Sequence, residues 1–600
     1  MSLPPDLPIP PGGPAIMTAQ DPKMIANLAT AIGQTHGGAP ASFIPADAPF
    51  DDAQRHWLNG LLSGLHAIAN AAAAEATPQV GTALTVLYGS QSGKAEALSK
   101  DLRKYSKTQG FEPKVAALDD IQVSDLAGLS HMLIIAATFG EGEPTDNAAK
   151  FYAALMADDA PALPATLNYS ICGLGDSSYA EFNKPARDID ARLAALGATR
   201  AADLVACDVD FDDDYAAWKT AAFESDPFKS AAGTASAPEP VTSAPGFDKN
   251  HPFMATLLAA DRLSGETSAK CVNHIELSLA GGGEDLEYQV GDALGVWPLN
   301  CADEVAAILK ACGFTGKETV ELKTGPVRLR PALLTRLDLT TVTPKTLKAW
   351  GLDKAGADNQ IIDLLTSGDV KLDPQTLVNG LRTLQPRLYS ISSSPNMHPG
   401  EVHLTIGEVR YDLNDKPRKG VASTYLGDRL AEGGAVGVYV QKSAHFHIPD
   451  DDTQPLIMIG PGTGIAPFRA FLEEREARAA TGLNWLFFGD QHRACDYLYQ
   501  DQITAWQESG LLTHTDLAWS RDGTDKVYVQ TLLKAKGAEV FAWLENGAAI
   551  YVCGDASRMA SDVDQTLRDI VMTHGARDAD AADLYIDALV STHRYQRDVY

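Results

Sequence analysis

The sequence predicts a multidomain α/β chain. A doubly wound parallel sheet comes first, then an antiparallel barrel carrying a helical insert, then a second α/β unit. Three observations predict this order. Between residues 83 and 224, apolar strands ending in Gly-, Ser- or Thr-rich turns alternate with helical stretches, the rhythm of a parallel sheet covered on both faces. From 248 the strands lose that rhythm and read as antiparallel. From 455 the strand–helix alternation returns. A chain of 600 residues accommodates several such domains at roughly 100–200 residues each.

Taken in order, residues 1–80 read as an N-terminal arm, rich in Pro, Gly and Ala. Its one helical pattern lies between Phe50 and Ala76, around Trp57, Leu61, Leu62, Leu65 and Ile68. The first sheet domain is expected at 83–224, on ALTVLYG (83–89), HMLIIAAT (131–138) and NYSICGLG (168–175). The stretch SAAGTASAPEPVTSAPG (230–246) can form no core and places a flexible linker at 225–247. The barrel is expected at 248–452, on CVNHIELSL, EVHLTIGEVRY and AVGVYVQ, with a Leu-rich helical insert at 300–383. PLIMIGPG, NWLFFGD and AAIYVCGD supply the strands of the last domain, 453–600.

A composition of 45% hydrophobic and 21% charged residues suits packed globular domains. The formal net charge of −29 argues against nucleic acid or an anionic membrane as partner. Such a surface suits a basic protein patch, or serves solubility alone. The seven cysteines (Cys172, Cys207, Cys271, Cys301, Cys312, Cys495 and Cys553) include no CxxC pair, which disfavours a disulfide framework, a metal site or an iron–sulfur cluster. Reduced thiols, no secretory pattern at MSLPPDLPIPPGGPAI and no apolar run of roughly 18–20 residues point to a cytoplasmic location without a membrane span.

Ser90-Gln91-Ser92-Gly93-Lys94-Ala95 follows a strand and opens a helix. Small hydroxyl residues and a glycine there leave backbone N–H groups free for a phosphate, which the helix dipole favours. Two later strand ends converge on the same edge: Ala137-Thr138-Phe139-Gly140, and Leu174-Gly175-Asp176-Ser177-Ser178-Tyr179 running on through Ala180, Glu181, Phe182 and Asn183. Phe139 and Tyr179 are placed to flank a flat ring, although an aromatic after a strand more often simply packs. The three loops (YGSQSGKAE, ATFGEGEPTDNA and GLGDSSYAEFN) resemble the flavodoxin family, which implies FMN, its phosphate on Ser90–Ala95. Lys94 departs from the small or polar residue usual there; a cation at this point either pairs the phosphate or points outward.

A second cradle centres on Arg387-Leu388-Tyr389-Ser390. Arginine pairs a pyrophosphate, tyrosine covers a flavin face and a serine hydroxyl approaches its reactive nitrogen. Thr405-Ile406-Gly407 and Tyr411 follow, then Gly420-Val421-Ala422-Ser423, a turn that opens a helix. The R-x-Y-S and G-x-x-S patterns resemble the ferredoxin-NADP reductase superfamily and imply FAD in the barrel.

The third cradle is the turn containing Gly462 and Thr463, after the strand PLIMI. A lone Gly-rich turn is weak evidence. Ser520, Arg521, Lys526, Val527, Tyr528, Val529 and Gln530 strengthen it: their donors suit a 2′-phosphate, where an NAD site would present an acid to the ribose. Their S-R…K-x-Y-x-Q pattern matches the same superfamily and implies NADPH, with Asp562 completing the set. The resemblance also implies that Tyr600 covers the FAD ring and that Ser390, Cys553 and Asp598 lie at the point of hydride transfer.

Over 80–600 the modules together resemble the diflavin reductases, implying electron flow from NADPH through FAD and FMN to a haem protein. DAQRHWLNGLLSGL and the ending RYQRDVY are similar to the flavoprotein subunits of NADPH sulfite reductases, whose acceptor is a separate sirohaem and iron–sulfur beta subunit. A soluble reductase of a haem-thiolate monooxygenase and a stand-alone NADPH diaphorase are the alternatives. The oligomeric state stays open, a homo-oligomer included.

Overall fold

The computed structural model describes residues 81–231 and 246–600, apart from Ser92, Glu141, Ser178, Ala357, Asp358, Asp369, Ser557 and Tyr600. The N-terminal arm with its helical pattern, and most of the Pro/Ala segment, lie outside the described residues.

The first module is a sheet in the order Phe111–Ala117, Thr82–Gly89, His131–Phe139, Asn168–Leu174, Thr199–Arg200. Thr82–Gly89 runs parallel to His131–Phe139, which runs parallel to Asn168–Leu174. Met132, Leu133, Ile134, Ile135 and Ala136 are all buried, because helices cover both faces and alternation is lost. The order reverses at Thr82–Gly89, so the loops after it and after His131–Phe139 flank the crevice at the switch point. The helix Asp226–Ala231 carries Phe228 into the core beside Phe111 and Phe223. Residues 226–231 therefore pack with this module, inside the segment whose composition reads as linker.

The barrel runs Arg387–Ser390, Ala293–Trp297, Ala435–Gln441, Phe253–Arg262, Val272–Ser278, Glu401–Gly407. Each neighbouring pair is antiparallel, and a single bridge between Ile391 and Leu404 joins the two edges. Closure removes the exposed edges that an open sheet would leave. Among the described residues the insert contributes five short helices, Ala302–Cys312, Leu329–Thr335, Pro344–Trp350, Ile361–Thr366 and Pro374–Asn379, around a core that includes Ile308, Leu333 and Leu377. Asp373 caps the last of them by accepting from the Gln375 and Thr376 amides.

The last module is a parallel sheet ordered His514–Trp519, Asn484–Asp490, Leu456–Ile459, Ala549–Gly554, Tyr595–Val599. Its order also reverses at its first strand, Leu456–Ile459, placing the glycine turn Gly460–Ile465 at the switch. Among the described residues no helix is long and apolar enough to cross a membrane.

Candidate functional site: three nucleotide cradles

The first cradle is built by the loop after Thr82–Gly89. Gly93 adopts φ 76°, a left-handed conformation open to glycine at little cost, and the helix Lys94–Thr108 starts there. The Ser90 amide donates to Asn147 Oδ1 at 2.8 Å, and Gln91 exchanges two hydrogen bonds with Asp146. Among the described residues, Ser90 Oγ and Thr138 Oγ1 are buried without a hydrogen-bond partner. Buried hydroxyls left so are uncommon, and two at the mouth of one crevice fit a group carrying phosphate and carbonyl oxygens. The Lys94 side chain is exposed at the start of this helix; protein crowding around its ammonium, with the Lys249 and Arg387 charges, lowers its pKa against the opposing pull of Asp212. A dianion would relieve that repulsion.

The second and third loops share their polar groups differently from the sequence expectation. Ser177 donates its amide (3.0 Å) and its hydroxyl (2.5 Å) to Asp208, and Asp176 faces Arg382. The Ser177 side chain is therefore spent on the scaffold of the loop, and Asp176 on a contact with the insert. Asn183, at φ 55°, holds Cys207 O through its side-chain amide. Tyr179 is 50% exposed at the crevice, and Phe139 is half-buried. Ser92 and Ser178 lie outside the described residues.

At the barrel, Arg387–Ser390 pairs with Ala293–Trp297, leaving Arg387 and Leu388 exposed and Tyr389 and Ser390 half-buried. The Thr405 hydroxyl, expected at the flavin, is buried and hydrogen-bonded to the Tyr499 hydroxyl at 2.7 Å, so only the backbone of 405–407 remains for a ligand. Ile406 is core. The Tyr411 hydroxyl accepts from Gln360, and the Ser423 hydroxyl accepts from the Val409 amide, closing the turn at Gly420–Ser423.

Three distant segments meet at one oxygen. Ser390 Oγ donates to Asp598 Oδ2 at 2.6 Å, and Cys553 Sγ lies 4.0 Å from the same atom. Parallel pairing of Ala549–Gly554 with Tyr595–Val599 puts Cys553 opposite Asp598. Burial raises the Asp598 carboxyl; burial and Asp598 push the Cys553 thiol well up. Cys553 is thus a neutral thiol. The glycine turn abuts this trio: a Cβ on Gly464 would lie 2.2 Å from the Cys553 carbonyl oxygen. Tyr600 lies outside the described residues, beyond the strand that ends at Val599.

In the last module the Ser520 and Arg521 amides bond to the carbonyls of Asp490 and Gln491, and the Arg521 and Lys526 side chains are exposed. Tyr528 is 45% exposed beside them, Val527 is half-buried and Val529 is core. Gln530 donates to Asp562 at 3.0 Å, while its Oε1 is buried without a partner among the described residues. The neighbouring acid Asp522 turns away to His492 and the Arg493 amide. Sequence reasoning missed Lys270, whose ammonium reaches the nearly buried Asp490 at 2.5 Å and ties the barrel to the rim of this site. A lone lysine before a strand carries no local signal of that contact.

Fold and sites together define a flavin-dependent oxidoreductase that takes electrons from a nicotinamide coenzyme. The flavodoxin family matches residues 86–218, the FAD binding domain 245–347 and 334–425, and the oxidoreductase NAD-binding domain 458–565. Among curated relatives, the sulfite reductase [NADPH] flavoprotein alpha-component of Vibrio vulnificus is 39% identical over 579 residues, covering 91% of this chain and 93% of the relative. Those of Bacillus subtilis (39% over 585 residues, 92% and 96%) and Yersinia enterocolitica (39% over 615 residues, 98% and 99%) match to the same degree. The chain belongs to the family of sulfite reductase [NADPH] flavoprotein alpha-components. Its cofactors are FMN, FAD and NADPH.

Proposed function

We propose that the chain is the electron-supplying flavoprotein of a sulfite-reducing system, passing electrons to a separate haem protein that carries sirohaem and an iron–sulfur centre. The names of its relatives support the substrate, and the acidic surface supports a protein acceptor. In this reading 83–224 holds FMN, 248–452 holds FAD with 300–383 as the connecting insert, and 453–600 holds NADPH. When bound, FAD accepts hydride from NADPH and, with FMN, lets the two electrons leave singly.

The chain's own residues orient and hold charge. Ser90 Oγ, Thr138 Oγ1 and the amides around Gly93 take the FMN phosphate, with Lys94 as counter-charge. Arg387 and the Gly420–Ser423 turn take the FAD pyrophosphate. Arg521, Lys526, Tyr528 and Gln530 grip the 2′-phosphate, and Gly462 and Thr463 admit the coenzyme backbone. Ser390 and Asp598 hold a proton at their Oγ–Oδ2 contact beside the hydride path, and the neutral Cys553 thiol keeps that wall free of a second negative charge. Tyr600 would hold its ring over the FAD and shield it from solvent.

The observation that carries the reading is the meeting of Ser390, Cys553 and Asp598 against the glycine turn, where barrel and nucleotide module share one site. The purified chain, mixed with the sirohaem protein of the same organism, NADPH and sulfite, is expected to form sulfide. Sulfide formation that is absent here, while a haem-thiolate acceptor is reduced at full rate, would overturn it.

A further inference from the structure

Between the FMN module and the rest of the chain run several ion pairs, most of them wet. Lys323–Asp213 has side chains 73% and 72% exposed, and Lys150–Asp587 66% and 38%. Exposed pairs contribute little and are screened by salt. Arg382–Asp176, with side chains 10% and 26% exposed, is the most shielded of these pairs among the described residues.

Its geometry is a three-way fork. Arg382 donates from Nε to Asp338 Oδ2 at 2.8 Å, from Nη2 to Thr341 Oγ1 at 2.9 Å and from Nη1 to Asp176 Oδ1 at 2.9 Å. Asp338, 8% exposed, also accepts from Thr340 and Thr341. Burial would raise its carboxyl, yet Arg382 and Thr340 hold it down at about 2. The anchoring half of the fork is therefore internal to the insert. The next residue, Thr383, donates to Asp210 Oδ2 at 3.0 Å. Arg382 and Thr383 thus grip the loops at 175–179 and 208–211, and the same segment runs directly into the strand Arg387–Ser390.

We propose that Arg382 is a positioning residue that clamps the FMN loops to the FAD seat for electron uptake and lets go of them for delivery. The fork makes the clamp reversible. A buried guanidinium stripped of its only partner would be strongly destabilising, but Arg382 keeps Asp338 when Asp176 departs. Asp176 moves into water, where a carboxylate is well solvated. The inference rests on the two-flavin reading above.

The test uses the full chain with both flavins. In stopped flow, Arg382→Gln is expected to slow passage of electrons from FAD to FMN about tenfold or more, the scale of a lost charge-assisted hydrogen bond, while reduction of FAD by NADPH keeps its rate. Its radius of gyration by small-angle scattering should rise at low salt. Arg382→Lys, which keeps the charge without the fork, should recover part of both effects. Adding Asp176→Asn to Arg382→Gln should slow interflavin transfer no further, because the Arg382–Asp176 contact is already gone in the single variant; additive losses would overturn the clamp. Should Arg382→Gln fail to fold, Arg382→Lys and Asp176→Asn still decide: compactness and interflavin rate unchanged in both would overturn it. Failure of the two-flavin reading is distinguishable, because it appears as a missing FMN or FAD on heat release from the unmodified chain.

Discussion

Arg521 presents its guanidinium to water at the rim of the last sheet, and nearby acids are engaged elsewhere: Asp562 accepts from Gln530 and Asp522 from His492. Arg521→Ala is expected to weaken NADPH by roughly one to two decades, the scale of a charge-assisted hydrogen bond, and NADH far less. The ratio of dissociation constants for the two coenzymes checks this, and equal losses would remove Arg521 from the 2′-phosphate. Ser390 is the other residue whose side chain makes a sharp expectation. Ser390→Ala takes the donor from Asp598, whose carboxyl burial already raises. FAD reduction in a single turnover should slow by about tenfold to a hundredfold, with both flavins retained. An unchanged rate would leave the hydroxyl a structural group.

At the scale of elements, the paired strands Val272–Ser278 and Glu401–Gly407 put His274 opposite Thr405 and His403 opposite Glu276. Burial, with help from Arg469 and His398, pulls His274 down to about 3; burial, His274, His398 and Arg469 pull His403 down to about 2. Tyr499 bonds His274 Nδ1, Glu276 faces its Nε2, Glu401 faces His403 Nε2, and Glu473 faces His398. Both histidines are neutral in the fold, with pKa values below the ordinary 6.5. The unfolded chain therefore takes up protons first as pH falls. Their contribution is fully present above 6.5 and is lost progressively below it, by at most about 1.4 kcal/mol per pH unit for each histidine. Denaturant midpoints should fall between pH 6.5 and 5, and His274→Gln with His403→Gln should flatten that fall; an equal slope in the variant would assign it to other groups.

At the scale of the whole molecule, several acids of the first module near its crevice are already in use. Asp208 holds Ser177, Asp210 accepts from Thr383, Asp212 faces Lys249, Asp213 pairs with Lys323 and Asp146 with Arg597. Glu141 lies outside the described residues. If the same acids serve uptake and delivery, moderate salt loosens the internal contacts while high salt weakens encounter with the acceptor, since exposed charges are screened beyond about 8 Å at physiological ionic strength. Acceptor reduction should rise and then fall across a salt series, while NADPH reduction of FAD stays flat. Neutralising Asp212, Asp213 and Asp214 to Asn should flatten the acceptor profile. A profile that salt and the substitutions leave unmoved would mean these acids keep the protein soluble and no more.

The sequence by itself determined the parts whose signal is local. Met132–Ala136 reads as a strand covered on both faces because five apolar residues in a row admit no wet side, and the turn at Gly93 is legible because a left-handed residue there favours glycine. The helix-opening turns at Gly93 and Gly462 are equally local. Tertiary structure decided which polar groups are free. Ser177 and Thr405 look like ligand donors in sequence, yet their hydroxyls are committed to Asp208 and Tyr499. Ser390 meets Asp598 across 208 residues, and Arg382 meets Asp176 across 206. Spacing within a strand or a turn encodes backbone conformation over a few residues. A hydrogen bond between distant segments depends on how separately folded modules pack, and no periodicity along the chain records that.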